Sequence, residues 1–433
     1  MIWNKPREAM DGEAMRNLQG ERLKKTVDRV YHNVPFYREK MQAMGLEPGD
    51  IASIDDIVKL PFTTKQDLRD NYPFGLAATH KNDFVRIHAS SGTTGKPTAV
   101  PHTRHDLEVF AECVCRSICC TGGTSEDVVQ VAYGYGLFTG GLGLHDGATK
   151  LGAGVIPISG GNTNNQLTLM QDFGTTILAC TPSYALFLSE ALRDAGVDTS
   201  NLPLRIGIFG AEPWTANMKK EIEDGLNIEA FDIYGLSEIM GPGVSCSCPE
   251  KNGLHVCEDH FYPEIIDPDT FEQVGDGVTG ELVFTHLTKE AMPLIRYRTR
   301  DLSALYHGDC ACGRSNVRMD RVKGRSDDML IIRGVNVFPS QVESVLLDLP
   351  EVEPHYMIIV DRKGTLDTIE VQVEIKDAAF SDEIGEVEAL AAKIKAKLDS
   401  SLRVSTKVTP VQHKTIERSQ GKARRVIDNR KKD

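Results

Sequence analysis

The chain has 433 residues, of which 40% are hydrophobic and 26% charged, with a formal net charge of −13. That length exceeds what one core usually organises, so two or more domains are expected, and the composition is that of an ordinary soluble protein. The acidic balance argues against general binding of nucleic acid or other polyanions. Residues 402–433 nevertheless carry ten Lys or Arg against three Asp or Glu, a basic end expected to be mostly solvated.

The stretch Met1–Glu8 has no apolar leader pattern, and no apolar run approaches the ~18 residues of a membrane span. A cytoplasmic protein without membrane partners is expected. Ten cysteines in such a chain do not make a disulfide scaffold, so clustered cysteines invite a metal reading first.

In chain order, residues 1–80 look largely helical, with apolar periodicity over Met15–Tyr31 and a helix start at Thr63–Leu68. A strand is expected at Phe84–His88 and a helix at Thr103–Cys120. A passage with ten glycines runs from Gly134 to Gly161, between short strands at Val128–Ala132 and Val155–Pro157. Strand and helix then alternate: Thr176–Ala179, Ser183–Ala195, Leu204–Phe209, Thr215–Gly225 and Glu229–Ile233. This alternation predicts an α/β fold with a parallel-rich sheet wrapped by helices. Residues 261–306 turn β-rich, as at Phe261–Ile266 and Gly280–Thr285. Polar turn residues at Gly324–Asp328 then open a small α+β domain with elements at Met329–Ile332, Pro339–Leu347, His355–Val360, Thr368–Glu374 and Glu386–Ser400. The predicted division is 1–326 and 327–433.

Between the first strand and helix lies Ser90-Ser91-Gly92-Thr93-Thr94-Gly95-Lys96-Pro97. Two glycines let backbone N–H groups turn toward an anion, four hydroxyls donate further hydrogen bonds, and Lys96 adds a point charge. Ser90 and Pro97 occupy the places of the first glycine and final hydroxyl of a Walker loop. Pro97 also disfavours a helix at this point. The segment reads as a phosphate cradle of a different kind.

A second constellation is Cys248 and His255 with Cys310-Ala311-Cys312-Gly313. Three thiolates and an imidazole are the donor set of a closed structural zinc site, within a β-rich part spanning about 246–315, and the glycine lets a C-x-C-G knuckle bend both sulfurs to one ion. Cys246, Cys257 and His260 are rival ligands. Cys113, Cys115, Cys119 and Cys120 share one predicted helix and read as small core residues.

Together with Gly210-Ala211-Glu212-Pro213, Phe231–Glu238, Tyr297–Asp301, Gly324–Asp328 and Glu417–Lys422, the cradle resembles the motif series of the adenylate-forming, acyl-CoA synthetase superfamily, and within it the phenylacetate–coenzyme A ligases. The resemblance implies a large adenylation domain and a small rotating C-terminal domain. It makes Ser90, Ser91, Gly92, Thr93, Thr94, Gly95 and Lys96 the ATP phosphate loop. Gly210, Ala211, Glu212, Pro213, Asp232, Ile233, Tyr234 and Gly235 become nucleotide contacts, Glu212 and Pro213 packing against adenine and Tyr234 stacking on it. Ser237 would donate to the α-phosphate, Glu238 ligate magnesium and Asp301 accept the ribose hydroxyls. Arg325 would contact nucleotide, Asp327 act as pivot and Gly334 admit pantetheine. Lys422 would bridge carboxylate and α-phosphate.

The rings and glycines of Tyr133–Gly141 suit an aryl carboxylate, with Tyr135, Phe138, Ile233 and Pro242 as walls. The implied reaction converts ATP, an arylacetic acid and CoA into a thioester, AMP and pyrophosphate, with a homodimer by analogy to relatives. Transfer to a carrier protein or other acceptor, and an inactive nucleotide-binding homologue, are the competing readings.

Overall fold

The computed structural model describes residues 1–90, 97–333, 335–363, 366–376, 384–418 and 423–430. The chain forms two compact units. Residues 1–180, 200–211 and 228–322 make the first, and 181–199, 212–227 and 323–433 the second. The chain thus passes into the C-terminal unit after Val322, and two earlier helical segments group with that unit.

The first unit opens with helices Gly12–Asn33 and Pro35–Ala43. The Asp11 side chain caps the former by accepting from the N–H groups of Glu13 and Ala14, and Leu23, Val27 and Val30 on its inner face are fully buried. Strands β1 (Arg86–Ser90) and β2 (Thr98–His102) then form an antiparallel hairpin in which Ser90 faces Thr98. The chain after Pro97 thus enters a strand and not a helix, in keeping with the proline. Helix Arg104–Cys120 starts from a capping box between Thr103 and Asp106. Cys113, Cys115, Cys119 and Cys120 are buried core residues along it.

One nine-stranded sheet organises the unit. Its parallel half comprises β3 (Val128–Val131), β4 (Gly154–Ile156), β5 (Ile177–Cys180), β6 (Ile206–Gly210) and β7 (Glu229–Leu236), paired in the order β4-β3-β5-β6-β7. β5 and β6 are buried at every residue, as continuous apolar runs in a parallel sheet should be. From β7 the pairing turns antiparallel through β8 (Gly241–Ser247) and β9 (Leu254–Val256). A separate antiparallel meander follows as β10 (Phe261–Ile266), β11 (Gly280–His286) and β12 (Tyr297–Ser303). The chain then returns to the edge of the nine-stranded sheet with β13 (Leu305–Tyr306) and β14 (Arg318–Met319), in the order β9-β14-β13. The β-rich region is thus partly an extension of the parallel sheet.

In the second unit, helices Pro182–Asp194 and Ala216–Leu226 start at Thr181 and Thr215, whose side chains accept from backbone N–H groups. Strands Leu330–Ile332 and Val335–Val337 form a hairpin. Strands Val352–Lys363 and Leu366–Ile375 pair antiparallel and are flanked in parallel by Val426–Asp428 and Thr406–Val411. Val342, Leu346, Ile358, Val360, Val371, Val373, Ile394 and Leu398 form a core of their own.

Among the described residues of the basic end, Arg403, Lys407, Lys414 and Arg424 are exposed as expected, whereas Arg418, Arg425 and Arg430 are half-buried. This end supplies both flanking strands, Arg418 lies between the carboxylates of Glu374 and Glu190, and Arg430 pairs with Asp428 and Asp367. The Arg425 guanidinium sits 4.6 Å from the centre of the Tyr356 ring. A β-edge needs partners for its backbone, and these charges gain carboxylates in the process, which periodicity alone does not reveal.

Candidate active site

In an open parallel sheet, ligands bind outside the carboxyl ends of the strands. In the first unit those ends carry Tyr133–Phe138 after β3, Gly210–Ala211 at the end of β6, and Leu236–Glu238 at the end of β7. Gly210 is dictated by close approach, since a Cβ there would lie 2.1 Å from the carbonyl oxygen of Ile233 on β7. Gly235 is equally constrained, with a virtual Cβ 1.7 Å from the Gly241 carbonyl oxygen. Both glycines let adjacent backbones close up beside the site.

The turn after β7 holds Ser237 and Glu238, each only 4% exposed. Ser237 Oγ lies 3.2 Å from Thr139 Oγ1, at the start of helix Thr139–Leu151. Glu238 Oε1 is buried without a hydrogen bond, although Lys65 Nζ approaches it at 3.4 Å. The ion pair therefore lacks hydrogen-bond geometry. Tyr234 stacks on Phe284, and its hydroxyl donates to Asp301 Oδ2 at 2.7 Å. Two residues expected to serve nucleotide separately are thus joined. Asp232 accepts an ion pair from Arg321 at 3.2 Å, and its N–H donates to Ser247 Oγ at 2.8 Å.

The glycine-rich passage is stitched to β1 through the Leu137 carbonyl, which accepts from Ala89 N–H at 2.9 Å and lies 3.1 Å from His88 Nδ1. This places Tyr135 and Phe138 beside the strand that ends at Ser90. Tyr135 Oη lies 3.3 Å from His145 Nδ1, and burial raises its pKa. Phe138 is 38% exposed. Pro242 on β8 faces Gly235 and comes within 3.1 Å of where a Gly143 Cβ would stand, while Ile233 is buried on β7.

In the second unit, Glu212 carries an unforeseen arrangement. Its Oε1 accepts from Ser183 N–H at 2.7 Å and its Oε2 from Ala423 N–H at 2.8 Å. Both carboxylate oxygens are thus engaged by the chain itself. Arg325 donates to Asp327 through Nε at 2.9 Å and Nη2 at 3.1 Å. Ser91, Gly92, Thr93, Thr94, Gly95, Lys96, Gly334 and Lys422 lie outside the described residues.

The metal-type constellation is assembled. Cys248, His255, Cys310 and Cys312 place their donor atoms within 4.8 Å of one another. Cys248 Sγ and Cys310 Sγ are 3.8 Å apart, and Cys312 Sγ is 3.4 Å from His255 Nε2. Tetrahedral zinc would give edges of about 3.8 Å between sulfurs and about 3.6 Å from sulfur to nitrogen, so the set fits. The 54-residue gap in sequence closes because β9 and β14 are neighbours, with His255 opposite Arg318. The knuckle bends at Gly313, whose φ is 88° and whose N–H donates to the Cys310 carbonyl at 2.9 Å.

The rivals fall outside this set of four, although Cys246 packs beside its sulfurs. Cys246 Sγ contacts the Ser117 carbonyl and Cys257 Sγ that of Gly243, while His260 Nδ1 lies 2.8 Å from Thr288 Oγ1. Burial, reinforced by Arg314, pushes the His255 pKa down to about 4, leaving a neutral imidazole of the kind a metal takes.

Sequence reasoning overlooked Lys65, His286 and Lys289. His286 ends β11, and Lys289 comes from the ordinary-looking Thr-Lys-Glu connection between β11 and β12. Nothing in the spacing marks that lysine as 2% exposed.

The chain is similar to known enzymes along its whole length. Residues 19–287 match the AMP-binding enzyme family and residues 334–430 the AMP-binding enzyme C-terminal domain. The chain is 50% identical to a phenylacetate-coenzyme A ligase of Thermus thermophilus, covering 100% of both chains. It is 51% identical to one of Escherichia coli, covering 98% of this chain and 97% of the relative. The solved structure of 2-hydroxyisobutyryl-CoA ligase in the postadenylation state with R3-HIB-AMP superposes with a TM-score of 0.93 at 27% identity, covering 99% and 92% of the two chains. With motifs, strand ends and full-length similarity in agreement, the chain belongs to the AMP-binding enzyme family and has the adenylate-forming fold.

Proposed function

We propose that the chain is an ATP-dependent phenylacetate–CoA ligase acting through an acyl adenylate. The observation that carries the reading is the buried turn bearing Ser237 and Glu238 beside the Tyr234–Asp301 pair, at strand ends where α/β sheets take ligands. Near-half identity to phenylacetate-coenzyme A ligases along the whole chain supports the substrate class.

In the first half-reaction a carboxylate oxygen attacks the α-phosphorus of ATP, the bond to the β-phosphate oxygen breaks and pyrophosphate leaves. Ser90 to Lys96 bind the phosphates, and Ser237 donates to the α-phosphate. Lys422 stabilises the charge that develops between carboxylate and phosphate. Asp301 accepts the ribose hydroxyls, while Gly210, Ala211, Pro213, Asp232, Ile233, Tyr234, Gly235 and Arg325 surround the nucleotide. Glu238, with an oxygen that lacks a hydrogen bond, fits a magnesium ion, which when bound would offset phosphate charge.

In the second half-reaction the CoA thiol loses its proton, sulfur attacks the acyl carbon and AMP departs. The small domain pivots at Asp327 between the two steps, and Gly334 lets pantetheine pass the backbone. Tyr135, Phe138, Ile233 and Pro242 wall the acid pocket. Cys248, His255, Cys310 and Cys312 hold a structural zinc ion. No step requires a cysteine nucleophile.

Pyrophosphate exchange into ATP over a panel of carboxylic acids tests the reading. Exchange should be strongest with phenylacetate and its ring-substituted analogues, and CoA should then yield the thioester. Exchange with no acid would overturn adenylation, and exchange without thioester formation would favour another acceptor.

A further inference from the structure

The carbonyl oxygen of Ile239, the residue after Glu238, accepts from two buried side chains. Lys289 Nζ donates to it at 3.2 Å, and His286 Nε2 is its second donor. The tautomer of His286 is set by its other nitrogen, because Nδ1 accepts the Leu294 N–H at 2.8 Å. The proton is therefore on Nε2. His286 is fully buried and Lys289 is 2% exposed.

A desolvated ammonium is costly unless negative charge faces it. The nearby Asp106 carboxylate is already committed, since Oδ1 accepts Glu290 N–H at 2.7 Å and Oδ2 accepts the N–H groups of Ala291 and Thr103, each at 3.0 Å. These bonds fix the loop carrying Lys289 against the start of helix Arg104–Cys120 without neutralising the ammonium through a direct contact. The other facing carboxylate is Glu238, whose Oε1 takes no hydrogen bond. Burial pushes the Lys289 pKa down to about 8, opposed by Asp106 and Glu238.

We infer that Lys289 and His286 are positioning residues for Glu238: together they clamp the Ile239 carbonyl, fix the turn that aims the Glu238 carboxylate, and set the field in which it meets a divalent cation and nucleotide phosphate. The inference rests on the proposed role of Glu238. It assigns work to two residues in none of the nucleotide-binding motifs. Outer partners that orient a metal-binding carboxylate typically change metal affinity by about 10- to 100-fold when removed, whereas ordinary core packing would leave metal dependence untouched.

The test compares full-length wild type with Lys289→Met, Lys289→Arg and His286→Gln. ATP binding is followed by calorimetry over a magnesium titration, beside pyrophosphate exchange and thioester formation from supplied phenylacetyl adenylate. Lys289→Met should raise the magnesium concentration for half-maximal ATP binding about tenfold and slow exchange by a similar factor. Thioester formation should change less than about twofold. Lys289→Arg should recover part of the loss, and His286→Gln should shift magnesium dependence in the same direction. Folded variants with wild-type magnesium dependence, or with equal losses in both half-reactions, would overturn the inference. Should wild type catalyse no exchange with any acid, the proposed function fails, while the magnesium dependence of ATP binding still decides the role of Lys289.

Discussion

Tyr234 and Asp301, 67 residues apart, share a 2.7 Å hydrogen bond in which the phenol donates to the carboxylate. Asp301 is 8% exposed, so the bond satisfies a nearly buried oxygen of the residue proposed to accept the ribose hydroxyls. Tyr234→Phe keeps the ring and its stacking on Phe284 but removes this donor. A lost hydrogen bond to a charged group is worth roughly 1.5 kcal/mol, so KM for ATP should rise about tenfold with kcat little changed. An unchanged KM would mean that Asp301 needs no help from the phenol.

Glu212 offers a second test, because both its oxygens accept backbone N–H groups, from Ser183 and from Ala423. Glu212→Gln leaves one acceptor and places an amide N–H against an existing donor, a local cost of about 1–3 kcal/mol. Ala423 follows Lys422, so pyrophosphate exchange should fall by about tenfold while thioester formation from supplied adenylate changes little. Equal effects on both steps would instead identify Glu212 as a general stabiliser of its unit.

The Cys₃His set predicts about one zinc per chain by elemental analysis. Cys248→Ser or Cys312→Ser should abolish stoichiometric zinc and lower the melting temperature, whereas Cys113→Ser on helix Arg104–Cys120 should retain the metal. Retention of zinc by the two ligand variants would rule out this ligand set.

Lys289 also makes a signed prediction for stability. Its pKa in the folded protein is about 8, against about 10.5 for a free lysine. Below pH 8 both states carry the proton and the folded state bears the full cost of burying it. Between about pH 8 and pH 10.5 the folded state releases the proton while the unfolded state keeps it, so this group's contribution to stability rises with pH. Urea unfolding of wild type and Lys289→Met should show the variant more stable near pH 7 by on the order of 3 kcal/mol, with the gap closing toward about pH 10. Asp106, Glu238, His286, His102 and His88 face or surround this amine electrostatically. A pH-independent gap would place its titration outside this window. A variant that is more stable yet slower would also fit a lysine retained for function.

Much of this protein was legible before folding. The alternating elements from Thr176 to Ile233 correspond to strands and helices of the structure, because a parallel strand buried on both faces must be an apolar run and its helix must follow a cap such as Thr181 or Thr215. The C-x-C-G knuckle and Cys248 with His255 were readable as a donor set because so few residue types bind zinc. What the sequence left open was which of the cysteines converge. That was settled only when β14 paired with β9 and closed the gap between His255 and the knuckle, while Cys246 and Cys257 contact backbone carbonyls.

The partners of Arg418, Glu212 and Lys289 went unread for a common reason. A charged residue carries no periodic signature of burial, and its partner is chosen by contacts across tens or hundreds of residues, as Arg418 with Glu190 and Lys289 with the Ile239 carbonyl illustrate. The sequence by itself determined the family, the order of the strands and helices and the chemical types gathered at the site, because these depend on local pattern and motif. Tertiary structure alone decided which buried charges face which carboxylates and carbonyls, because desolvation and pairing are set by what lies across the fold rather than along the chain.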